Sequence, residues 1–110
     1  MKLPKTGKLV RIFIGEGDHL SGKPLYEKIV EEARKRGLAG ATVLRGAMGF
    51  GANSRIHTTK VLRLSEDLPI IIEIVDEENK VEKFLPWLDE VVNDGLVTIE
   101  KVEVFKYQSK

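Results

Sequence analysis

The 110-residue sequence predicts an α+β fold, a ferredoxin-like βαββαβ sandwich with an antiparallel sheet and two helices on one face. Three observations predict it. Short runs dense in β-branched residues occur at residues 9–14, 41–44, 70–75 and 96–105. Two stretches of helical period separate the first run from the second and the third from the fourth. No linker or low-complexity segment divides the chain, so a single domain over residues 1–110 is expected.

The elements follow in order. Residues 9–14 read as a buried strand, and residues 15–22, with three glycines, as a polar turn. Pro24 opens the first helix, since the missing N–H costs nothing in a first turn. Leu25, Ile29 and Ala33 line one face, Val30 widens it, and Gly37 after Lys35-Arg36 is a natural C-terminal cap. Residues 41–44 form the second strand, and a long segment then runs to Asp67-Leu68-Pro69. Residues 70–75 form the third, interrupted only by Glu73. Asp76-Glu77-Glu78 places negative charge where the second helix begins, as its dipole prefers. Val81, Phe84, Leu85, Leu88 and Val92 trace that helix's apolar face, with Pro86 expected to kink or split it. In the last strand Val97 and Ile99 are out of phase with Val102 and Val104, which predicts a bulge near Glu100-Lys101. With both helices on one side, the other sheet face is uncovered and apolar enough to suggest burial between subunits.

Composition narrows the function. There is no cysteine, which excludes disulfides, thiolate metal sites and a cysteine nucleophile. Eighteen basic and 17 acidic residues nearly balance, against a broad nucleic-acid surface. Charged residues make up 32% of the chain and Gln108 is the lone glutamine, a tilt seen in hyperthermophile proteins. Residues 1–8 are basic, but the apolar run behind them is short and carries Arg11. Residues 68–75 contain Pro69 and Glu73 and are too short to span a bilayer. A cytoplasmic protein without membrane insertion is expected.

The segment most informative about chemistry is Arg45-Gly46-Ala47-Met48-Gly49-Phe50-Gly51. Glycines let a backbone approach a ligand and present N–H groups to an anion. Behind it, residues 52–65 hold Ser54, Arg55, His57, Lys60 and Arg63 and no acid. Together they suggest a phosphate-bearing ligand, most simply a nucleotide; a bulged strand end and turn is the plainer reading. RNA stacking is disfavoured because Phe50 is the segment's only ring. His57 either hydrogen-bonds locally or contacts a ligand. Glu73 faces solvent, pairs with Arg45 or Arg63, or accepts a bond from a ligand. Lys23 is a solvated residue or helps the first helix hold phosphate. The Glu16-Gly17-Asp18-His19 cluster reads as a solvated turn before a cation site, and no metal ligand set is assigned. Trp87 is read as core or subunit contact.

Several pieces taken together resemble a known group. They include Phe13-Ile14-Gly15-Glu16, Ser21-Gly22-Lys23-Pro24-Leu25-Tyr26-Glu27, Arg45-Gly46 with Gly49-Phe50-Gly51, Ile56-His57-Thr58, Leu64-Ser65-Glu66-Asp67-Leu68-Pro69, and Ile72-Glu73-Ile74-Val75-Asp76. In these the chain is similar to the uncharacterised PII-like protein family of archaea and bacteria. The resemblance implies a relative of the PII signalling proteins, compact trimers that bind adenine nucleotides between subunits and signal through a loop after the second strand. It implies a homotrimer, an adenine nucleotide ligand, and a loop over residues 52–65 that acts on an unidentified protein partner. By the same likeness Gly49-Phe50-Gly51 stands at the loop's base, Thr42 lies on the strand that floors the adenine pocket, and Lys106 falls near a phosphate-contacting arginine. The chain departs from that pattern at Asn93-Asp94-Gly95-Leu96-Val97, which lacks the lysine of the second PII glycine loop. AMP or ADP is therefore favoured over ATP. Tyr26 and Tyr107 lie outside the loop, so tyrosine nucleotidylylation is not supported, and without a loop glutamine neither is 2-oxoglutarate sensing.

The candidate binding set is thus Thr42, Arg45, Gly46, Gly49, Phe50, Gly51, Ser54, Arg55, His57 and Glu73, with no catalytic residue and no obligatory cofactor. Two other classes compete. An acyl-phosphate or phosphate-ester enzyme would need an arginine cradle and a water-positioning asparagine. Arg11 or Arg45 with Asn53 imitates these, but residues 15–22 hold no arginine. A CutA-like metal-tolerance trimer shares the fold, but His19 and His57 have no partners at ligand spacing.

Overall fold

The computed structural model describes residues 5–50, 57–58 and 68–108. In chain order the elements are β1 (Thr6–Gly15), β2 (His19–Leu20), β3 (Lys23–Pro24), α1 (Leu25–Lys35), β4 (Thr42–Arg45), β5 (Met48–Gly49), β6 (His57–Thr58), β7 (Pro69–Asp76), α2 (Glu78–Val91) and β8 (Leu96–Glu103). β1, β4, β7 and β8 form one antiparallel sheet in the order β4-β7-β1-β8. With α1 and α2 this is the expected βαββαβ arrangement, and the short β2–β3 and β5–β6 pairs are additions to it.

Alternation along the strands builds two unlike faces. Val10, Ile12 and Ile14 of β1 pair with Ile74, Ile72 and Ile70 of β7, and all six are buried. Leu25, Ile29 and Ala33 of α1 and Val81, Phe84 and Leu88 of α2 close over them. The other face carries Leu9, Arg11 and Phe13 of β1 opposite Val75, Glu73 and Ile71 of β7, and neither α1 nor α2 lies above it. Leu44 and Leu96 on that side are 46% and 55% exposed.

Local chemistry explains the boundaries. Ser21 and Gly22 both have positive φ (53° and 82°), the requirement of a two-residue type I′ turn, and join β2 to β3. Pro24 sits one residue before α1, whose first N–H, on Leu25, donates to Asp18 O at 2.7 Å. At the other end Leu38 N–H donates to Ala33 O and Gly37 N–H to Arg34 O, both at 3.0 Å, with Gly37 at φ 78°. This is a Schellman cap, and Gly37 fills its left-handed position as expected.

One expectation fails and another is narrowed. α2 is not split at Pro86, which lies inside a single helix. Both Pro86 and Glu82, whose carbonyl the proline leaves unbonded, are on the exposed side, where water can serve it. β8 has no bulge: its register with β1 is continuous from Phe13↔Leu96 to Thr6↔Glu103. The change of phase is a change of face. Val97 and Ile99 sit on the helix side opposite Ile12 and Val10, whereas Val102, opposite Gly7, sits on the open side.

Candidate functional site

A groove of about 550 Å³ lies on the open sheet face, at the end where β4 begins. Leu9, Val75 and Val102 give it apolar walls, and Thr42 and Glu73 add a hydroxyl and a carboxylate. Its remaining sides are residues 39–41, which lead into β4, and residues 104–107, which follow β8. β8 and β4 are the outer strands of the sheet, so the C-terminal segment is a strap from one edge to the other. Its start is pinned by Val104 N–H donating to Lys5 O (2.6 Å), its far end by Tyr107 O–H donating to Ala39 O (2.8 Å). Lys106, exposed on the strap, brings a cation to the groove.

The predicted binding residues fall into two places. Thr42 and Glu73 are register partners and share the groove. Arg45 is three residues further along β4, opposite the buried Ile70, and so points to the helix side of the sheet. There its guanidinium is paired with the Glu16 carboxylate. Glu73 is paired not with Arg45 but with Arg11, whose Nε donates to its Oε2 at 2.8 Å; Arg63, the other partner expected, lies outside the described residues. Arg11, one of the two arginines of the acyl-phosphate reading, divides its guanidinium between Glu73 and Glu100. Cross-strand register, which the sequence alone does not reveal, decides both pairings.

The glycines of the Arg45-Gly46-Ala47-Met48-Gly49 segment have a packing reason. A Cβ at Gly46 would lie 2.7 Å from Pro69 Cγ, and one at Gly49 would lie 3.1 Å from the same atom. Neither has positive φ. The Gly46 N–H is already used, donating to Pro69 O at 2.7 Å. Gly49 pairs with His57 and Met48 with Thr58, so the base of the long loop is a two-stranded ladder. Phe50 follows at 74% exposure. Gly51, Ser54 and Arg55, with Lys60, Arg63 and Asn53, lie outside the described residues, and of His57 only the backbone pairing is described.

The remaining candidates have ordinary surroundings. Gly15 N–H donates to Asp18 Oδ2 (3.1 Å) and His19 Nδ1 lies 2.6 Å from Gly17 O, so this cluster is a hydrogen-bonded turn. Among the described residues no group of three or more His, Cys, Asp or Glu could hold a metal ion. Lys23 pairs with Glu31 at the surface, 3.5 Å apart. Trp87 stacks on the buried Phe84, and Arg36 covers both rings. Gly95, in the connection that departs from the PII pattern, lies against Phe13 O, so this turn is a close packing contact. Among the described residues no helix is long and apolar enough to cross a membrane.

Two residues escape the sequence reading as site components: Tyr107, which lines the groove, and Asp76, which holds the groove's Ala39. In the sequence Tyr107 is only a tyrosine outside the loop, and Asp76 only an acid favouring a helix start. A polar residue ending an apolar strand is the available signal for Asp76, whose carboxylate is fully buried beside the groove's Ala39.

Comparison with known proteins agrees with this fold. The DUF190 family model, described as Uncharacterized ACR, matches residues 7–104. A UPF0166 protein of Aquifex aeolicus is 44% identical over 97 residues, 88% of this chain and 91% of that protein. A UPF0166 protein of Methanocaldococcus jannaschii is 38% identical over 100 residues, 90% of this chain and 92% of its own. Among solved structures, CPII of Thiomonas intermedia, a nitrogen regulatory PII-like protein bound to ADP, AMP and bicarbonate, has a TM-score of 0.65 at 18% identity. That likeness covers 92% of this chain and 90% of CPII. A PII-like signaling candidate of Thermus thermophilus also reaches 0.65, at 22% identity, covering 90% and 89%. At these identities the likeness is one of fold, and the fold is PII-like.

Proposed function

We propose that this chain, which belongs to the DUF190 family, is a PII-like sensor that takes an adenine nucleotide into the groove between the open sheet face and the C-terminal strap. The groove carries the reading. Its volume of about 550 Å³ lies in the usual range for small-molecule sites, roughly 300–1,000 Å³. Apolar walls suit a base, the Thr42 hydroxyl and Glu73 carboxylate suit its amino or ribose groups, and Lys106 suits a phosphate. A PII-like protein of the same fold holds ADP and AMP, which supports this ligand class. AMP or ADP is favoured over ATP because Asp94-Gly95 offers no lysine and packs against β1.

The uncovered face with Leu9, Phe13, Ile71, Leu44 and Leu96 supports burial between subunits of a homotrimer, with the groove at a subunit boundary. The protein then acts in the cytoplasm as a single-domain signalling module without catalysis, its loop over residues 52–65 reporting occupancy to a protein partner. Arg45, Gly46, Gly49, Phe50, Gly51, Ser54, Arg55 and His57 stay in the same reading as loop-side candidates, apart from the end of the sheet that Thr42 and Glu73 share.

Titration calorimetry with AMP, ADP and ATP, together with light scattering, tests it. Saturable binding that weakens about tenfold or more in Thr42→Val or Glu73→Gln is expected, roughly the loss of one or two directed polar contacts. Absence of heat with all three nucleotides would sink the proposal.

A further inference from the structure

Asp76 is fully buried, and it is the one charged side chain in that class among the described residues. A carboxylate so placed is tolerated only when hydrogen bonds replace its water. Its Oδ1 accepts from Glu77 N–H at 2.6 Å, at the start of α2, and its Oδ2 accepts from Ala39 N–H at 2.9 Å. Ala39 passes the connection on, because its carbonyl accepts from Tyr107 O–H at 2.8 Å. The strap leads back to Val104, bonded to Lys5, and the β1–β7 register brings Lys8 opposite Asp76. These contacts tie the groove's two sides, the loop at Ala39 and the strap, to β7 and β1 beneath them.

We propose that Asp76 and Tyr107 are positioning residues that fix the opening of the groove for its ligand. This rests on the nucleotide reading above and goes beyond it, since neither carboxylate nor phenol is assigned a contact with the nucleotide. Asp76 holds the loop at Ala39 against the helix start, and Tyr107 latches the strap to that loop. Among the described residues the strap has little else to hold it: Phe105 is fully exposed and Lys106 is exposed. Without the phenol O–H the strap departs more readily, and affinity falls by the fraction of molecules whose groove has lost its side.

Tyr107→Phe keeps the ring and removes the O–H. The full-length variant is compared with the parent by calorimetry with ADP, by thermal melting and by amide hydrogen exchange. ADP affinity is expected to fall about three- to tenfold, the worth of one neutral hydrogen bond. The melting temperature should stay within about 3 °C, less than a core defect produces. In Asp76→Asn, which presents a donor to one of two donors, exchange at Ala39 should accelerate and affinity should fall at least as far. Parent protein that binds no ADP overturns the nucleotide reading. Parent protein that binds, with Tyr107→Phe equally tight, overturns the positioning role alone. A Tyr107→Phe protein that loses affinity only together with its melting temperature also overturns it, because the residue would then serve the fold.

Discussion

Arg11 Nε lies 2.8 Å from Glu73 Oε2, in the middle of the sheet face that neither helix covers. Register extends this pair into a polar row across all four strands, Thr42–Glu73–Arg11–Thr98, with Glu100 reaching Arg11 at 3.4 Å. Apolar side chains flank the row, Leu9 and Val75 toward the strap and Phe13 and Ile71 on the other side. Both partners are about a third exposed, 35% and 33%, so their coupling is that of a partly screened pair, about 0.5–1 kcal/mol. A double-mutant cycle with Arg11→Met and Glu73→Leu in urea should return that coupling, with the double variant more stable than the two single losses add up to. Strict additivity would mean that the pair contributes nothing to the fold.

A second ion pair makes stability depend on acid pH. Lys8 Nζ lies 3.0 Å from Glu78 Oε1 in the first turn of α2. The hydrogen bond from Lys8, then its charge, hold the Glu78 carboxyl below the ordinary range, with Lys101 adding a smaller pull. Because the folded-state value is lowered, the contribution is fully present above the ordinary glutamate range. It disappears as pH falls through the lowered value. Lys8→Met should therefore melt below the parent at about pH 7, and the two curves should converge once the pH has fallen through the lowered Glu78 value. A gap that keeps its size in acid would assign the effect of Lys8 to packing.

What the sequence reveals and what it hides divide by the range of the interaction. The helix faces through Ile29 and Phe84, the cap at Gly37 and the four main strands follow from local period and turn chemistry. Glu73 is legible as an anomaly because a charge in an apolar strand needs an explanation. Its partner Arg11 is not, since 62 residues separate them and register alone joins them. β8 misleads for a related reason: two faces of one regular strand, each apolar over a different stretch, mimic a slipped phase. The glycines at 46 and 49 look like an anion cradle, yet what they face is Pro69, remote in the chain. Thr42 comes from family likeness, and the groove beside it needs the return of the C-terminus to become visible.

Glycine positions offer a sharper stability test. A Cβ at Gly95 would lie 2.5 Å from Phe13 O and 3.1 Å from both Ile14 Cγ2 and Val92 Cγ1. Backbone on one side and core on the other leave no easy way to yield, so Gly95→Ala should cost about 1–3 kcal/mol, as overpacking usually does. A Cβ at Gly40 would meet nothing within 4 Å among the described residues, and Gly40 has no positive φ. Gly40→Ala should be neutral or slightly stabilising, by up to about 1 kcal/mol through the unfolded chain. Equal effects in chemical denaturation would refute the packing account of Gly95.

Arg45 poses the last question, because its guanidinium already has an anion. Glu16, a quarter exposed, holds it from the β1–β2 connection, and Glu16 N–H is itself fixed to Leu68 O at 2.8 Å. A phosphate reaching Arg45 must displace this carboxylate. Glu16→Gln keeps the shape and removes the competing charge. If Arg45 is a phosphate contact, ADP should bind about two- to fivefold more tightly to Glu16→Gln, the worth of a surface ion pair. The gain should shrink in about 0.5 M salt, where the screening length is only a few ångströms. Arg45→Ala should abolish it. Unchanged affinity in Glu16→Gln and in Arg45→Ala alike would remove Arg45 from the site and leave Lys106, beside the groove, to meet the phosphate.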